Sequence, residues 1–175
     1  MSEQRLITPH FSYKELTRSG TAIRMGVDNT PTDEHLANLQ LVCENVLEPV
    51  RKVYGAVIVN SGYRSMALNM VVNPLTTTLT KISKHCTGQA VDFEVRGIDN
   101  VTLAQWCVDH LWGFDQVILE FYTPGDPNSG WVHVSWCAAP RLIVVGIDDQ
   151  WKPRKEVFTS SRVKGQVIYT KGIVA

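Results

Sequence analysis

The chain has 175 residues, which is enough for one domain with a sizeable core but short for two. Its 17 basic and 17 acidic residues give a formal net charge of zero, and no basic cluster stands out. No apolar run approaches the length needed to span a bilayer. These features argue against a nucleic-acid partner and against membrane insertion.

The N-terminal segment, MSEQRLITPHFSYKEL, is polar and lacks the apolar stretch of a secretory signal peptide. We therefore expect a protein that is made in a cytoplasm and carries no export signal. Free thiols are the default in that setting, and the four cysteines show no C-x-x-C spacing. Cys43 and Cys107 fall in helical patterns and are expected to be small buried hydrophobic residues.

The first third of the chain is predicted to be helical. The segment FSYKELTRSG predicts a short helix that ends near Gly20. The segment NTPTDEHLANLQLVCENVLEPVRKVYG predicts one long helix, with Thr30 as its N-cap and Pro31 at the first helical position. Apolar residues recur there at helical spacing, Pro49 favours a kink or an early end, and Gly55 ends the pattern.

The middle of the chain mixes strand, helix and loop signals. Residues 56–60 predict a buried strand, and RSMALNMVV predicts a short helix. The segment NPLTTTLTKIS has no periodicity and predicts a surface loop or flap. Farther along, NVTLAQWCVDHLWG predicts a helix that is capped near Asn100 and stops at Gly113.

Three later segments alternate between apolar and polar residues, as half-buried strands do. The face opposite the apolar one carries Asp92 in AVDFEV, Glu120 in DQVILEFY and His133 in WVHVSW. In DQVILEFY the alternation predicts Phe121 on the apolar face and Tyr122 on the other. The turn-rich segment TPGDPNSG predicts a hairpin loop. This order of elements predicts an α+β fold, with an antiparallel sheet flanked by helices.

We expect a single domain over residues 1–175, with a core of about 11–136 and a C-terminal extension over 137–175. The extension contains two strand-like segments, RLIVVGI and GQVIYTKGIVA, and no linker separates it from the core. The sequence predicts no function for it.

The segment SKHCTGQAVDFEV places His85 in a turn and Asp92 inside the strand that follows. Burying a lone carboxylate is costly, so Asp92 is expected to be paired or to bind a metal. Catalytic zinc sites use three nitrogen, oxygen or sulfur ligands and leave one position open, and His133 on a neighbouring strand completes such a set. Taken singly, each of these residues is explained as well by a salt bridge or a solvated strand face.

The pattern S-x-H-x-x-G-x-A-x-D in SKHCTGQAVD, followed by WVHVSW, resembles the zinc-dependent peptidoglycan peptidases of the D-alanyl-D-alanine carboxypeptidase family. That family includes many phage endolysins. The similarity runs from about Phe11 to Trp136 and takes in FSYKELT, VNSGYRS and LEFY. It implies Zn²⁺ as cofactor, peptidoglycan peptide stems as substrate, and carboxypeptidase or endopeptidase activity. The chain most resembles phage-type members without extra cell-wall-binding repeats.

The resemblance makes His85, Asp92 and His133 the zinc ligands. It also makes Glu120 the candidate general base, on a strand beside His133. Arg64, in SGYRS, is implied to bind a substrate carboxylate or carbonyl, a task that suits the planar and permanently charged guanidinium.

Further residues are expected around the site. Ser83 and Gln89 are expected to add hydrogen bonds, and Trp131 is expected to form a wall of the cleft because it shares a strand face with His133. Several relatives carry an acidic residue three positions before the last histidine ligand, where this chain has Gly130. The general base must therefore come from another position.

The leading hypothesis is a zinc peptidase that acts as a phage endolysin or a virion-associated lysin. Such a protein stays in the host cytoplasm until it reaches the cell wall, or travels in the virion. Gly130 keeps open a second hypothesis, a catalytically inactive cell-wall-binding or virion structural module of the same fold. A third is a thiol hydrolase that uses Cys86, next to His85. The bond that is cut and the oligomeric state are not predicted.

Overall fold

The structure is a computed structural model that describes residues 5–74, 82–138, 142–145, 150–153, 156–163 and 166–174. Most of the predicted surface loop NPLTTTLTKIS lies outside these residues. Within the described ranges, no helix combines the length and the apolar character that a bilayer crossing requires.

The helical elements of the described residues follow the chain from Tyr13 to His110. They are α1 (Tyr13–Thr17), α2 (Gly20–Met25), α3 (Asp33–Val42), a π-helical segment (Cys43–Leu47), α4 (Glu48–Tyr54), α5 (Met66–Val72), a 3₁₀ turn (Lys84–Thr87) and α6 (Asn100–His110).

Eight strands are assigned in the described part of the chain. They are β1 (Val57–Ser61), β2 (Ala90–Val95), β3 (Phe114–Glu120), β4 (Trp131–Trp136), β5 (Leu142–Val145), β6 (Gln150–Pro153), β7 (Glu156–Val163) and β8 (Gln166–Lys171). Six of them form one sheet in the order β1-β2-β4-β3-β7-β8, and β5 and β6 form a separate pair.

The prediction of an α+β fold with a helix-flanked sheet is confirmed, but the prediction of an antiparallel sheet is wrong. Strands β3 and β7 pair in parallel, which makes the six-stranded sheet mixed. The reason is the long connection between β4 and β7, because a connection of more than about a dozen residues permits the crossover that parallel neighbours need. The alternation in the sequence shows which face is buried and carries no information on strand direction.

The hydrophobic core lies on one face of this sheet. Val91 and Phe93 of β2 and Val132 and Val134 of β4 are fully buried there, as the alternation predicted. Helices α3 and α6 pack against this face. Val157 of β7 also packs against the core, so the C-terminal hairpin continues the same layer.

The predicted short helix is α1, which ends at Thr17, three residues before Gly20, and Gly20 is the first residue of a second helix, α2. The Ser19 hydroxyl accepts a hydrogen bond from the Ala22 amide and so caps this second helix. Gly26, with a φ of 62°, ends it in the left-handed conformation that glycine adopts without steric cost.

The long helix begins later than predicted and contains a π-helical segment. Thr32, not Thr30, caps α3 through a hydrogen bond from the His35 amide, while the Thr30 hydroxyl donates to Asp28. The π-helical segment Cys43–Leu47 precedes Pro49, which lies in the first turn of α4 and has no amide hydrogen to donate. The helical run continues through Pro49 to Tyr54, so the predicted early end is wrong and a kink at Pro49 stays a prediction.

Strand β3 ends at Glu120 because Phe121 turns out of the strand. Phe121 has a φ of 53°, the one positive value at a non-glycine position among the described residues. The alternation is broken at this point, so Tyr122 enters the core and the Phe121 ring lies against Trp131. The predicted placement of Phe121 and Tyr122 is wrong for this reason.

Candidate metal centre

His85 is presented by the short 3₁₀ turn that leads into β2. Ser83 caps the turn and Gly88 ends it with a φ of 69°. A side chain at Gly88 would overlap the His35 carbonyl of α3, so the turn requires glycine at this position. The turn is thus held closely against α3.

The orientation of the His85 ring is set by a backbone group. Its Nδ1 lies 2.7 Å from the Gly62 carbonyl oxygen, which can only accept a hydrogen bond. In the neutral imidazole the proton is therefore on Nδ1, and Nε2 is left with a free lone pair. A hydrogen bond of this kind, on the nitrogen that does not bind the ion, is typical of histidine metal ligands.

Strand pairing brings the other two residues to the same point. Asp92 of β2 lies directly opposite His133 of β4 in the antiparallel register. Oδ1 of Asp92 is 2.8 Å from His133 Nδ1 and 3.2 Å from His85 Nε2. One ligand atom from each of the three side chains lies within 4.8 Å of the other two, and all three residues are buried.

The charges of the cluster stabilise one another. Burial by itself would raise the pKa of Asp92, but the charge of His85 and the hydrogen bond from His133 outweigh it and hold that pKa far below its usual range. Burial would likewise lower the pKa of His133, but its hydrogen bond to Asp92 raises it. The carboxylate is therefore ionised and compensated on both sides.

The donor set fits a zinc ion. Two imidazole nitrogens and one carboxylate oxygen converge on a single point, and these are ligand types that zinc prefers. Three protein ligands leave a fourth position for a water molecule or a substrate, as in catalytic zinc sites.

Glu120 lies on the same face of the sheet at the end of β3. It pairs with Trp131 across the β3–β4 hairpin, two residues from the Ile118–His133 pair. Burial raises the pKa of Glu120, although the nearby His133 opposes the shift. A carboxyl group with a raised pKa beside a metal-type cluster has the properties of a proton acceptor and donor.

The backbone conformation of the β3–β4 hairpin explains why position 130 is a glycine. Its φ is 70°, and a Cβ atom at this position would overlap the Glu120 carbonyl oxygen across the hairpin. An acidic side chain at position 130 is therefore incompatible with this backbone. The departure from the relatives' pattern follows from the tight turn that places Glu120 beside the cluster.

Arg64 lies three residues after the end of β1, and its backbone contacts the turn that carries His85. Its backbone amide donates to the His85 carbonyl at 3.2 Å, and its guanidinium donates to Asn69 Oδ1 at 3.3 Å. Its charge acts on His133, where it opposes the raised pKa. Substrate binding by Arg64 stays a prediction.

The remaining predicted site residues lie in or next to the 3₁₀ turn that carries His85 and in the β3–β4 hairpin. The Ser83 hydroxyl accepts from the His85 amide, and the Gln89 side-chain oxygen accepts from Lys84 and from Thr87. Trp131 is half-buried against Phe121. Substrate contact by these three residues stays a prediction.

Cys86 does not have the properties of a nucleophile. It is 4% exposed, and burial raises the pKa of its thiol although Arg64 opposes the shift. A reactive cysteine requires a thiolate in an accessible electropositive setting. The geometry therefore argues against the thiol hydrolase.

Sequence comparison assigns the chain to a family. The sequence model of the Peptidase M15 family matches residues 9–135, which include all three members of the cluster and Glu120. The chain belongs to the Peptidase M15 family. M15 peptidases are generally zinc-dependent and act on peptidoglycan, so the His85, Asp92 and His133 cluster is the candidate metal site of an M15 peptidase. No curated relative matches the chain.

Two contributors to this M15 site are missing from the sequence prediction. The Gly62 carbonyl orients His85, and Ser160 of β7 holds the end of β3 through hydrogen bonds from the Phe121 and Tyr122 amides. Both act across long stretches of chain, so no local pattern indicates them. The family match ends at residue 135, and β7 lies outside it.

Proposed function

We propose that this M15 peptidase hydrolyses peptide stems or cross-links of bacterial peptidoglycan with one Zn²⁺, and that it is a phage endolysin or a virion-associated lysin. The convergence of His85, Asp92 and His133 on one point is the observation that carries the catalytic part. The phage context rests on the resemblance of the segments between Phe11 and Trp136 to phage-type relatives.

In this mechanism His85 Nε2, an Asp92 oxygen and a His133 nitrogen hold the ion. A bound zinc ion supplies Lewis-acid activation of water and of the scissile carbonyl. Glu120 accepts the proton of the attacking water and passes it to the leaving amine. The Arg64 guanidinium binds a substrate carboxylate or the carbonyl oxygen, where negative charge develops.

The position of Glu120 supports an enzyme over an inactive module. The inactive alternative depended on the lack of an acid at position 130. Glu120 provides a buried acid on the same sheet face, and burial raises its pKa as proton transfer near neutral pH requires.

Digestion of purified peptidoglycan tests this proposal. We expect the zinc-loaded protein to release soluble muropeptides, a chelator to stop the release, and Glu120→Gln to slow it about 10²- to 10⁴-fold. Glu44→Gln serves as the matched control, because Glu44 is exposed and bonds to Gln40 on the far side of the helical layer. Mass spectrometry of the products identifies the bond that is cut.

The outcomes separate the three hypotheses. Release that persists in the chelator contradicts the zinc mechanism and would direct attention to Cys86. Zinc binding without release, in wild type and control alike, supports the inactive module.

A further inference from the structure

The C-terminal hairpin extends the face of the sheet that carries the site. Strand β7 pairs in parallel with β3, and the register places Phe158 beside Ile118. Because side chains alternate along a strand, Phe158, Ser160 and Arg162 share the face that carries Glu120. The family match ends at residue 135, so these residues lie outside the matched part of the chain.

Hydrogen bonds fix this hairpin relative to Glu120. The Ser160 hydroxyl, which is 1% exposed, accepts from the Phe121 amide at 2.9 Å, and the Ser160 carbonyl accepts from the Tyr122 amide at 2.7 Å. These are the two residues that follow Glu120. The β7 side chains therefore have a defined position beside it.

Arg162 adds an exposed positive charge to this face. Its guanidinium carbon lies 5.5 Å from the centroid of the Phe121 ring, and that ring lies 5.0 Å from the ring of Trp131. None of the ion pairs among the described residues involves Arg162, and its side chain is exposed. The aromatic contact orients the guanidinium through the ring face and uses none of its N–H donors.

Tyr169 of β8 adds a neutral donor on the other side of β7 from Glu120. It pairs with Ser160 across the β7–β8 hairpin, which makes it the diagonal neighbour of Arg162 on the same face. Its ring makes an edge contact with Phe158 at 6.5 Å, and the residue is 57% exposed. Burial raises the pKa of Tyr169, and the negative charge of Glu120 adds to the shift, which places the phenol near that carboxylate.

We propose that Arg162 and Tyr169 form a subsite for a carboxylate of the peptide substrate, on the side of the metal centre where Glu120 lies. This subsite rests on the proposed function and defines a substrate class, peptides with a free carboxylate some residues from the scissile bond. A carboxylate only accepts hydrogen bonds, and the guanidinium fork and the phenol hydroxyl both donate. Amidation of that carboxylate removes its charge and half of its acceptors, so the subsite selects against amidated stems.

Calorimetry on the zinc-loaded protein tests the subsite without relying on hydrolysis. The probes are a stem pentapeptide with all carboxylates free and a series in which each carboxylate in turn is a carboxamide. We expect Arg162→Gln to weaken binding of the free peptide about tenfold, as for loss of a hydrogen bond to a charged group, and Arg162→Lys to weaken it less. Tyr169→Phe should cause a smaller loss.

The amidated series identifies which carboxylate is bound. We expect one peptide of the series to bind wild type more weakly than the free peptide does, and to bind wild type and the Arg162→Gln variant equally. The carboxylate replaced in that peptide is the one that Arg162 binds. The other peptides should still bind the variant more weakly than wild type. Arg5→Gln is the matched control: the Arg5 guanidinium also lies over an aromatic ring, that of Tyr13, at 5.2 Å. Tyr13 begins α1, which packs on β1 at the opposite edge of the sheet.

Each outcome bears on the proposal. The subsite is wrong if Arg162→Gln binds the free peptide like wild type, if Arg5→Gln has the same effect, or if wild type binds none of the peptides. Chelator-sensitive hydrolysis is measured separately on the same peptides. Hydrolysis that does not depend on Arg162 overturns the subsite alone, and Arg162-dependent binding without hydrolysis overturns the catalytic proposal alone.

Discussion

Both candidate histidine ligands contact a single oxygen atom, Oδ1 of Asp92. His133 Nδ1 approaches it at 2.8 Å and His85 Nε2 at 3.2 Å. A buried carboxylate without partners would cost several kcal/mol, so this pairing explains how Asp92 is tolerated inside a strand. The same pairing holds the three donors near the positions that a zinc ion requires, which lowers the ordering cost of binding.

The raised pKa of Glu120 predicts a pH-dependent stability difference in the metal-free protein. The folded state holds the Glu120 proton to a higher pH than the unfolded chain does, so stability falls as pH rises above the unfolded pKa of about 4.3. We expect Glu120→Gln to raise the melting temperature at pH 7 and to have no such effect near pH 4. Thermal unfolding measures this, with Glu44→Gln as control, and an equal gain at both pH values contradicts it.

Two glycines of the β3–β4 hairpin allow a test of the turn geometry. Gly130 and Gly125 both have positive φ values, of 70° and 86°, but a Cβ atom overlaps the Glu120 carbonyl only at position 130. We expect Gly125→Ala to cost about 1–2 kcal/mol of unfolding free energy, from backbone strain alone. Gly130→Ala should cost more and should also reduce peptidoglycan hydrolysis, because Glu120 must move. Denaturant unfolding and activity assays check both, and equal losses contradict the steric argument.

At the scale of elements, the site depends on which strands are neighbours. Strands β2 and β4 place Asp92 opposite His133, the 3₁₀ turn brings in His85, and β3 brings Glu120 to the same face. Strand β7 then determines where β3 ends, because Ser160 accepts hydrogen bonds from the two residues after Glu120. The C-terminal segment is therefore part of the structure that positions the candidate base.

Ser160→Ala tests this coupling between β7 and β3. The substitution leaves the Phe121 amide without its side-chain partner, and an unsatisfied buried donor costs about 1–3 kcal/mol. We expect a lower melting temperature and a reduced kcat, while zinc affinity, measured by calorimetry, stays unchanged. Ser161→Ala is the control on the adjacent residue, whose side chain is half-buried. A Ser160 variant with wild-type kcat contradicts the positioning role.

At the scale of the whole molecule, the two faces of the six-stranded sheet have different roles. One face packs against α3 and α6 and forms the core, and the other carries the candidate site. His133 is 41 residues from Asp92 in sequence, so an ion bound by the three side chains ties β4 to β2 and to the 3₁₀ turn. Metal binding to the folded state alone must therefore stabilise the whole domain.

Thermal unfolding with and without Zn²⁺ tests this linkage. At a free zinc concentration 100 times the dissociation constant, the expected stabilisation is about 2.7 kcal/mol. Asp92→Asn should remove most of this gain, and a chelator should reverse it. His110→Gln is the control, because His110 is exposed on α6 and stacks on Trp106. An equal zinc effect in the Asp92 variant would place the ion elsewhere.

Local patterns predicted much of this structure. Alternation predicted the buried faces of β2, β3 and β4, because a side-chain period of two follows directly from strand geometry. The same alternation placed Asp92, Glu120 and His133 on one face. It failed at Phe121, where a positive φ reverses the order of the side chains, and the segments of β6 and β7 have no strong pattern of their own.

The sequence by itself determined the α+β class and the strand face that carries Asp92, Glu120 and His133, because both follow from local periodicity, and the resemblance to a known family implied the ligand set. Only the tertiary structure decided the parallel pairing of β3 with β7, the orientation of His85 by the Gly62 carbonyl, and the position of Arg162 over the Phe121 ring. These depend on contacts between segments far apart in the chain. Such contacts are selected by the packing of the whole domain and leave no local pattern in the sequence.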